Sequence, residues 1–186
     1  MRIILEGPDC SGKTTLGKYL LSQLNNYSYI HNSLDANKNF CWRDIDRKII
    51  ATNETLYYSH INSLKHHNNV IVDRLWPSEF VYGNLFRNKI EYNIKELKQE
   101  IEKYKPVYIG CLPPKHLVQK YFKRRLNEND EDFDTVSNVY DMYEFLFDVC
   151  KEFMIFDYEV ETVEQFTRRF IDEHKHSMEK INYRSN

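Results

Sequence analysis

Near its N-terminus the chain reads Gly7-Pro8-Asp9-Cys10-Ser11-Gly12-Lys13-Thr14, a match to the pattern GxxxxGK[ST]. Residues 2–6, just before it, are typical of a short buried strand, and Leu16, Leu20 and Leu24, just after it, repeat at helical spacing. A glycine loop between a strand and a helix directs backbone N–H groups toward one point at the helix N-terminus, where they attract phosphate oxygens. This stretch, the phosphate loop, therefore predicts binding of a nucleoside triphosphate.

The residue types in the phosphate loop indicate how it would hold that ligand. Lys13 is expected to reach the β- and γ-phosphates, and the Thr14 hydroxyl is expected to ligate Mg²⁺. Cys10 is expected to be a small filler whose backbone N–H matters more than its thiol. The predicted ligands are Mg²⁺ and ATP. The predicted ATP-binding residues are Gly7, Pro8, Asp9, Cys10, Ser11, Gly12, Lys13, Thr14 and Thr15.

Length and charge limit the class of protein. The 186 residues suit one α/β domain with a sizeable core. Because 26 basic residues nearly balance 28 acidic ones, a global nucleic-acid footprint is absent, and nucleic acid is not an expected partner. No apolar run approaches the length of a membrane span, and the N-terminus lacks the order of a signal peptide.

The spacing of the cysteines also limits the class of protein. The four cysteines form no metal-binding pattern, which favours reduced thiols in a cytoplasmic protein. The expected partners are small-molecule nucleotides. The sequence leaves open whether the chain forms a homodimer.

Strand and helix patterns alternate along the chain. This alternation predicts a three-layer α/β fold, an open five-stranded parallel sheet with helices on both faces. A loop is expected over residues 35–41. Predicted strands cover 2–6, 27–31, 70–73, 107–111 and 154–156, and predicted helices cover 15–24, 44–67, 94–104, 113–125, 135–152 and 163–170.

The chain is predicted to form a single domain over 1–177, with a C-terminal tail at 178–186. Ligands of open parallel sheets bind beyond the carboxyl ends of the strands. The phosphate loop and Asp73 both fall at such ends, so we expect them to lie close together.

The strand Val70-Ile71-Val72-Asp73 ends in an acid, a pattern that holds Mg²⁺, usually through water, in phosphate-loop enzymes. ATPase motors generally place a second carboxylate after that acid to activate water. Here Arg74 occupies the position, which favours handling of a second phosphate over hydrolysis. A structural ion pair between Asp73 and Arg74 is the simpler alternative.

The segment Glu6 to Thr14 reads EGxDxxGKT, and Asp73-Arg74 is followed by Ser78 and Tyr82, five and nine residues after the Asp. This combination resembles the thymidylate kinase family, and the order of elements agrees to about Phe170. The resemblance implies that the domain over 1–177 is a P-loop kinase domain with a three-layer P-loop kinase fold and a short helical lid at about 120–135. The resemblance implies that Arg74 holds the acceptor monophosphate and that Asp9 contacts the sugar 3′-hydroxyl. It also implies that Tyr82 packs against the sugar and disfavours a 2′-hydroxyl.

The chain departs from that family in the source of catalytic charge. Many members carry an arginine within the phosphate loop, whereas Cys10 and Ser11 here supply no charge. The cation that neutralises the transferring phosphoryl group is therefore expected from the lid, as Arg124 or Arg125.

A second departure concerns the base pocket. The helix before the Asp-Arg strand normally carries a stacking aromatic and a base-reading arginine. The matching stretch of this chain offers Tyr57 and Tyr58 for stacking but no arginine beyond Arg47, so the acceptor base stays open. In the apolar helix after the lid, Tyr140 and Tyr143 are expected to pack in the core.

Together these features predict transfer of the γ-phosphoryl of ATP to a deoxynucleoside monophosphate, with dTMP or a close analogue as the leading acceptor. One alternative is a kinase for deoxynucleosides or for a modified base in DNA, with Asp73 or Glu6 as general base. Another is a nucleotide-dependent ATPase switch. The predicted catalytic residues are Lys13, Asp73, Arg74, Arg124 and Arg125; the acceptor-binding residues are Asp9, Tyr58, Arg74, Ser78 and Tyr82; the metal-binding residues are Thr14 and, through water, Asp73.

Overall fold

The computed structural model describes residues 1–34, 40–43, 49–52, 56–86, 94–125 and 133–182. Side chains are described within 1–32, 61–86, 94–125 and 135–175. The elements in chain order are β1 (Arg2–Glu6), α1 (Lys13–Gln23), β2 (Ser28–Leu34), β3 (Phe40–Arg43), β4 (Ile49–Thr52), α2 (Leu56–Lys65), β5 (Val70–Asp73), α3 (Trp76–Phe86), α4 (Ile94–Glu102), β6 (Val107–Cys111), α5 (Lys115–Arg125), α6 (Phe133–Val149), β7 (Phe153–Phe156) and α7 (Val163–Asn182).

One sheet with the strand order β4-β3-β2-β5-β1-β6-β7 forms the middle layer. The five strands from β2 to β7 in this order are parallel, which confirms the predicted five-stranded parallel sheet. Strands β1 and β5 lie at its centre, with Leu5 opposite Asp73. All four residues of β5 are buried, as a β-branched run covered on both faces requires.

Helices cover both faces, as predicted. On one face α1 and α7 pack against the sheet through Leu16, Leu20, Phe166 and Phe170. On the other face α3, α4 and α6 do so through side chains such as Val81, Leu97 and Tyr143. A smaller cluster between α5 and α6 contains Val118, Phe122, Val136 and Tyr140. Within the part of the chain that the structure describes, no helix is long and apolar enough to cross a membrane.

An antiparallel hairpin at the edge of the sheet corrects the prediction for residues 35–67. The helix predicted over 44–67 is wrong at Ile49–Thr52, which is strand β4, and the loop expected at 35–41 is wrong at residues 40–41, which belong to β3. Residues 35–39, 44–48 and 53–55 lie outside the described residues. β3 pairs with β2 and β4 pairs with β3, both antiparallel. Ile49 and Leu56 fit a helical face, but Ile-Ile-Ala-Thr, in which three of four residues are β-branched, finds backbone partners in the neighbouring strand.

The ends of the chain's last helices also differ from expectation. Helix α7 continues to Asn182, past the expected boundary at residue 177. Helix α6 begins at Phe133, and helix α3 was not predicted. The centre of the expected lid, residues 126–132, lies outside the described residues, while α5 and α6 flank it.

The packing of α1 on the sheet yields a stability prediction. A Cβ on Gly17 would lie 2.4 Å from Cε2 of Tyr29 and 2.9 Å from Cδ1 of Leu5. We expect Gly17→Ala to lower the free energy of unfolding, because overpacking costs about 1–3 kcal/mol while alanine returns only about 1 kcal/mol in a helix. Urea unfolding measures the change. The exposed neighbour variant Lys18→Ala is the control, and a Gly17→Ala protein as stable as that control would contradict the packing.

Candidate active site

The phosphate loop joins β1 to α1 at the carboxyl edge of the sheet. Gly7 has φ 145°, and a Cβ there would lie 2.2 Å from the carbonyl oxygen of Cys111 at the end of β6. Gly12, at the N-terminus of α1, has φ 90°. Both positions need glycine, because the backbone is left-handed there and, at Gly7, also touches a neighbouring strand. The loop is thereby fixed against the sheet.

Lys13 lies inside this loop. Its ammonium donates hydrogen bonds to the carbonyl oxygens of Gly7 and Pro8, each at 2.7 Å. Burial, assisted by the charge of Arg74, lowers the pKa of Lys13 below its ordinary value. Thr14 and Thr15 are exposed on the first turn of α1. The loop therefore presents one buried cation and two accessible hydroxyls at a helix N-terminus, the donor set of a phosphate site.

Asp73 lies at the carboxyl end of β5 and is fully buried. Its Oδ2 accepts a hydrogen bond from the Tyr29 hydroxyl at 2.7 Å and lies 3.0 Å from Nδ1 of His31. Burial raises the pKa of Asp73, but the hydrogen bond with His31 and the charge of Lys13 outweigh it and lower that pKa to about 2. The carboxylate is therefore ionised at neutral pH.

The second oxygen of Asp73 makes this carboxylate suitable for a hydrated cation. Oδ1 is buried and has no hydrogen-bond partner among the described residues. An ionised, buried oxygen without a partner is costly unless water or a metal ion satisfies it. The exposed Thr14 hydroxyl lies on the adjoining loop, so these two side chains fit a magnesium ion held partly through water.

The backbone of Arg74 adopts a left-handed conformation with φ 75°, which is rare for a residue other than glycine. Three contacts hold it there. Its N–H donates to the carbonyl oxygen of Leu5 at 3.0 Å, and its own carbonyl accepts from Nδ2 of Asn32 at 2.6 Å. The next N–H, of Leu75, donates to Oε1 of Glu6. Strain of this kind persists only where the surroundings over-determine the conformation.

Three of the predicted acceptor-binding residues lie around the guanidinium of Arg74. It forms an ion pair with Asp9 of the phosphate loop and donates to Oγ of Ser78 at 3.5 Å. Its Cζ lies 5.0 Å from the centre of the Tyr82 ring. The Asp9 side chain is half exposed, whereas the Arg74 side chain is only 9% exposed. The alternative of an Asp73–Arg74 ion pair is not what the structure contains, because Asp73 is bonded by Tyr29 and His31 instead.

The two arginines that are expected to belong to a lid differ in their surroundings. Arg125 lies beside the phosphate loop, with Nη1 3.9 Å from Sγ of Cys10. Arg124 lies over the ring of Tyr121, with Cζ 5.5 Å from its centre. Tyr121 in turn meets the edge of Tyr158, whose hydroxyl lies 3.5 Å from the Cys10 carbonyl. The side chain of Tyr58, in α2, is outside those that the structure describes.

Glu6 is part of the site in a way that sequence reasoning missed. It is fully buried and accepts from Leu75 N–H, from the Ser78 hydroxyl at 2.7 Å and from the Tyr143 hydroxyl at 3.1 Å. Burial raises the pKa of Glu6 to about 7. Because both oxygens are engaged inside the protein, Glu6 is not placed to take a proton from a substrate hydroxyl, and the alternative that made it a general base loses support.

His31 and Asn32 were also missed. Both lie in the middle of β2, where His31 is opposite Asp73, and their contacts with Asp73 and Arg74 span more than forty positions of sequence. The only available signal was their place at, or just after, the end of the strand predicted over 27–31, which sequence alone does not pair with β5.

The fold is that of the P-loop nucleotide kinases. The crystal structure of YorR from Bacillus subtilis, in complex with phosphorylated GDP, matches with a TM-score of 0.70 at 22% identity over 95% of this chain and 98% of that one. Thymidylate kinase from Candida albicans matches with a TM-score of 0.54 at 17% identity, over 95% of this chain and 91% of that one. Deoxyadenosine kinase from M. mycoides with bound dATP matches with a TM-score of 0.55 at 14% identity, over 94% and 100%.

Sequence comparison gives the family. No family model matches the chain. It is 30% identical over 144 residues to the SPbeta prophage-derived uncharacterized protein YorR of Bacillus subtilis (strain 168), an alignment that covers 74% of this chain and 78% of YorR. The chain therefore belongs to the YorR family.

The burial of Glu6 predicts an unusual dependence of stability on pH. Its folded pKa of about 7 exceeds the ordinary value of 4.5, so its contribution is fully present below about pH 4.5 and is lost as the pH rises through 7. Between pH 5 and pH 8 the free energy of unfolding of the wild type should fall by up to about 3 kcal/mol because Glu6 ionises. Glu6→Gln cannot ionise at this position, so its free energy of unfolding should not show that fall.

Urea unfolding of both proteins at several pH values tests this. Glutamine suits the position, because its carbonyl can accept from Leu75 N–H and its amide can donate to the two hydroxyls. Glu159→Gln, at an exposed site, is the control for loss of one carboxylate. Parallel pH profiles for the wild type and Glu6→Gln would refute the raised pKa.

Proposed function

We propose that this protein transfers the γ-phosphoryl group of ATP to a deoxynucleoside monophosphate, with dTMP or a close analogue as the leading acceptor. The observation that carries the proposal is the contact between the Arg74 guanidinium and Asp9 of the phosphate loop. This contact places the Arg74 guanidinium, a cation that can bind the acceptor phosphate, directly beside the loop that would bind the phosphates of ATP. Phosphoryl transfer depends chiefly on this kind of positioning and charge neutralisation.

The donor would be held by the phosphate loop. Backbone N–H groups of residues 7–14 and the Lys13 ammonium would bind the β- and γ-phosphates. Thr14 and, through water, Asp73 would hold Mg²⁺, which would neutralise charge on the phosphates. The unpartnered Oδ1 of Asp73 supports this assignment.

The acceptor phosphate would bind Arg74. A guanidinium has five N–H donors in a planar fork, more than its present partners Asp9 and Ser78 need, so an incoming phosphate has donors to bind. Asp9 is half exposed and would be able to accept a bond from the sugar 3′-hydroxyl. Tyr82, stacked near the guanidinium, would border the sugar. Ser78 is buried, and its proposed role in acceptor binding is through Arg74.

A further cation, which would neutralise the transferring phosphoryl group, would come from the lid at about 120–135. The lid would be part of a kinase domain that spans residues 1–177. Arg125 already lies at the phosphate loop beside Cys10, which supports its role over that of Arg124. An arginine that neutralises the transferring phosphoryl group raises the rate by about three to five powers of ten. Lid closure would also exclude water, which competes as an acceptor.

Relatives support a nucleotide substrate but differ in its base. YorR was crystallised with phosphorylated GDP, and the other matched structures are a thymidylate kinase and a deoxyadenosine kinase. Guanine nucleotides therefore belong in any acceptor screen.

The thiols of Cys10, Cys111 and Cys150 are free, which supports a reducing compartment such as the cytoplasm.

A second candidate function is phosphorylation of a free deoxynucleoside. The unpartnered, ionised Oδ1 of Asp73 favours it, since a hydroxyl acceptor needs a general base whereas a phosphate does not.

An acceptor screen tests both candidates. The protein would be incubated with Mg²⁺, ATP and either the natural nucleosides or their mono- and diphosphates, with an oligonucleotide as a further arm. We expect the fastest turnover with a deoxynucleoside monophosphate. Turnover of nucleosides alone would establish the second candidate, and hydrolysis of ATP that no acceptor accelerates would overturn both.

Removing the Arg74 guanidinium should damage acceptor use selectively. A bond to a charged group contributes about 1.5–3 kcal/mol, so Arg74→Ala should raise the acceptor KM by about ten- to a hundredfold while the KM for ATP changes little. Steady-state kinetics measure both constants. Arg168→Ala, which removes an exposed arginine of α7, should behave as the wild type. An unchanged acceptor KM in Arg74→Ala would exclude the role given to Arg74.

Removing the Lys13 ammonium should affect the chemical step itself. Lys13→Ala is expected to lower kcat by about a thousandfold or more, because charge developing on the β- and γ-phosphates loses its buried cation. Circular dichroism should show a folded protein. The exposed Lys18→Ala variant of the same helix is the control, and a Lys13→Ala enzyme with near-normal kcat would contradict the donor assignment.

A further inference from the structure

Three buried oxygen atoms form a closed triangle behind Arg74. Oγ of Ser78 lies 2.7 Å from Oε2 of Glu6 and 2.7 Å from the hydroxyl of Tyr143, and that hydroxyl lies 3.1 Å from Oε2 of Glu6. None of the three residues is more than 2% exposed. The triangle joins the end of β1, the first turn of α3 and the middle of α6, three elements far apart in sequence.

This triangle is connected to Arg74 at two points. Ser78 Oγ accepts from Nη1 of the guanidinium at 3.5 Å, and Glu6 Oε1 accepts from Leu75 N–H, the peptide that follows Arg74. The triangle thus contacts both the charged end of Arg74 and the backbone turn on which its side chain is mounted.

Counting protons assigns a role to the Tyr143 hydroxyl. When Glu6 is ionised, two hydroxyl protons must serve three edges, and Arg74 needs an acceptor on Ser78. In the arrangement in which both hydroxyls donate to Oε2 of Glu6, the lone pairs of Ser78 Oγ are left to accept from Nη1 of Arg74, and the Tyr143 oxygen lies 2.7 Å from Ser78 Oγ. Without the tyrosine hydroxyl, Oε2 loses one of its two donors and Ser78 loses a polar neighbour, so the acceptor that faces the guanidinium is held by one contact fewer.

Packing alone does not require a tyrosine at position 143. The ring packs against Phe147 with a centroid distance of 5.6 Å, a contact that phenylalanine would also make. Burying a hydroxyl costs free energy unless it is hydrogen-bonded, and this hydroxyl is bonded only within the triangle among the described residues.

We propose that Tyr143 is a positioning residue that fixes the Arg74 guanidinium through Ser78 and so sets the affinity for the acceptor phosphate. The proposal rests on the proposed function for its kinetic consequence, although the orientation of Arg74 itself is independent of that function. Tyr143 does not touch the nucleotide in this scheme.

Tyr143→Phe removes one oxygen and keeps the ring. Losing one buried hydrogen bond should raise the acceptor KM by about three- to tenfold, with the KM for ATP and kcat within about twofold of wild type. The control is Tyr140→Phe, the same change one turn earlier on α6, at a buried tyrosine outside the triangle. That variant should leave the acceptor KM unchanged.

A double-mutant cycle separates positioning from a general loss of structure. If Tyr143 acts through Arg74, Tyr143→Phe should have no further effect on the acceptor KM in an Arg74→Ala background. Equal effects of Tyr143→Phe in both backgrounds would overturn the proposal.

A spectroscopic readout keeps the test independent of catalysis. The Nε–H resonance of Arg74, assigned by its loss in Arg74→Lys, should shift or broaden in Tyr143→Phe and stay in place in Tyr140→Phe. An unchanged resonance in Tyr143→Phe would overturn the proposal. A shifted resonance in a protein that phosphorylates no acceptor would instead leave the positioning role standing and defeat the proposed function.

Discussion

The ion pair between Arg74 and Asp9 is the contact on which the geometry of the site depends. It joins the loop after β1 to the turn after β5, the two central strands of the sheet. The buried Arg74 guanidinium would be costly without this partner, because a buried charge requires an opposite charge or several hydrogen bonds, whereas Asp9 is half exposed. The backbone contacts of Arg74 with Leu5, Asn32 and Glu6 hold one side of the pair, and the glycines of the phosphate loop hold the other.

Two carboxyl groups close to this pair have opposite electrostatic environments. Asp73 has an adjacent histidine and lysine, which keep it ionised despite burial, whereas burial dominates at Glu6 and raises its pKa to about 7. The ionised group has an unpartnered oxygen and suits a cation; the other has only internal partners and suits a structural role. Neighbouring charges, more than residue type, thus separate the roles of the two acids.

Sequence predicted the features that depend on local pattern. The phosphate loop, the five parallel strands and the helices on both faces follow from glycine positions, β-branched runs and apolar spacing. The β3–β4 hairpin was missed because a short apolar run such as Ile49–Thr52 is compatible with either a helix or a strand until its pairing partner is known. Contacts such as Asn32 with Arg74, or Tyr143 with Glu6, connect residues that no local pattern relates. Tyr143 was expected in the core and lies there, but a role for its hydroxyl can be inferred only from its hydrogen-bond partners in the structure.

The alignment of β1 with β5, which sets Leu5 opposite Asp73, has a consequence for how this family can diverge. A slip of one residue between these strands would turn every side chain to the opposite face of the sheet and carry Arg74 about 3.3 Å along the strand. Insertions and deletions should therefore be tolerated in the connections between elements and selected against within either central strand. Homologues are expected to vary in loop length while the two strands retain their number of residues.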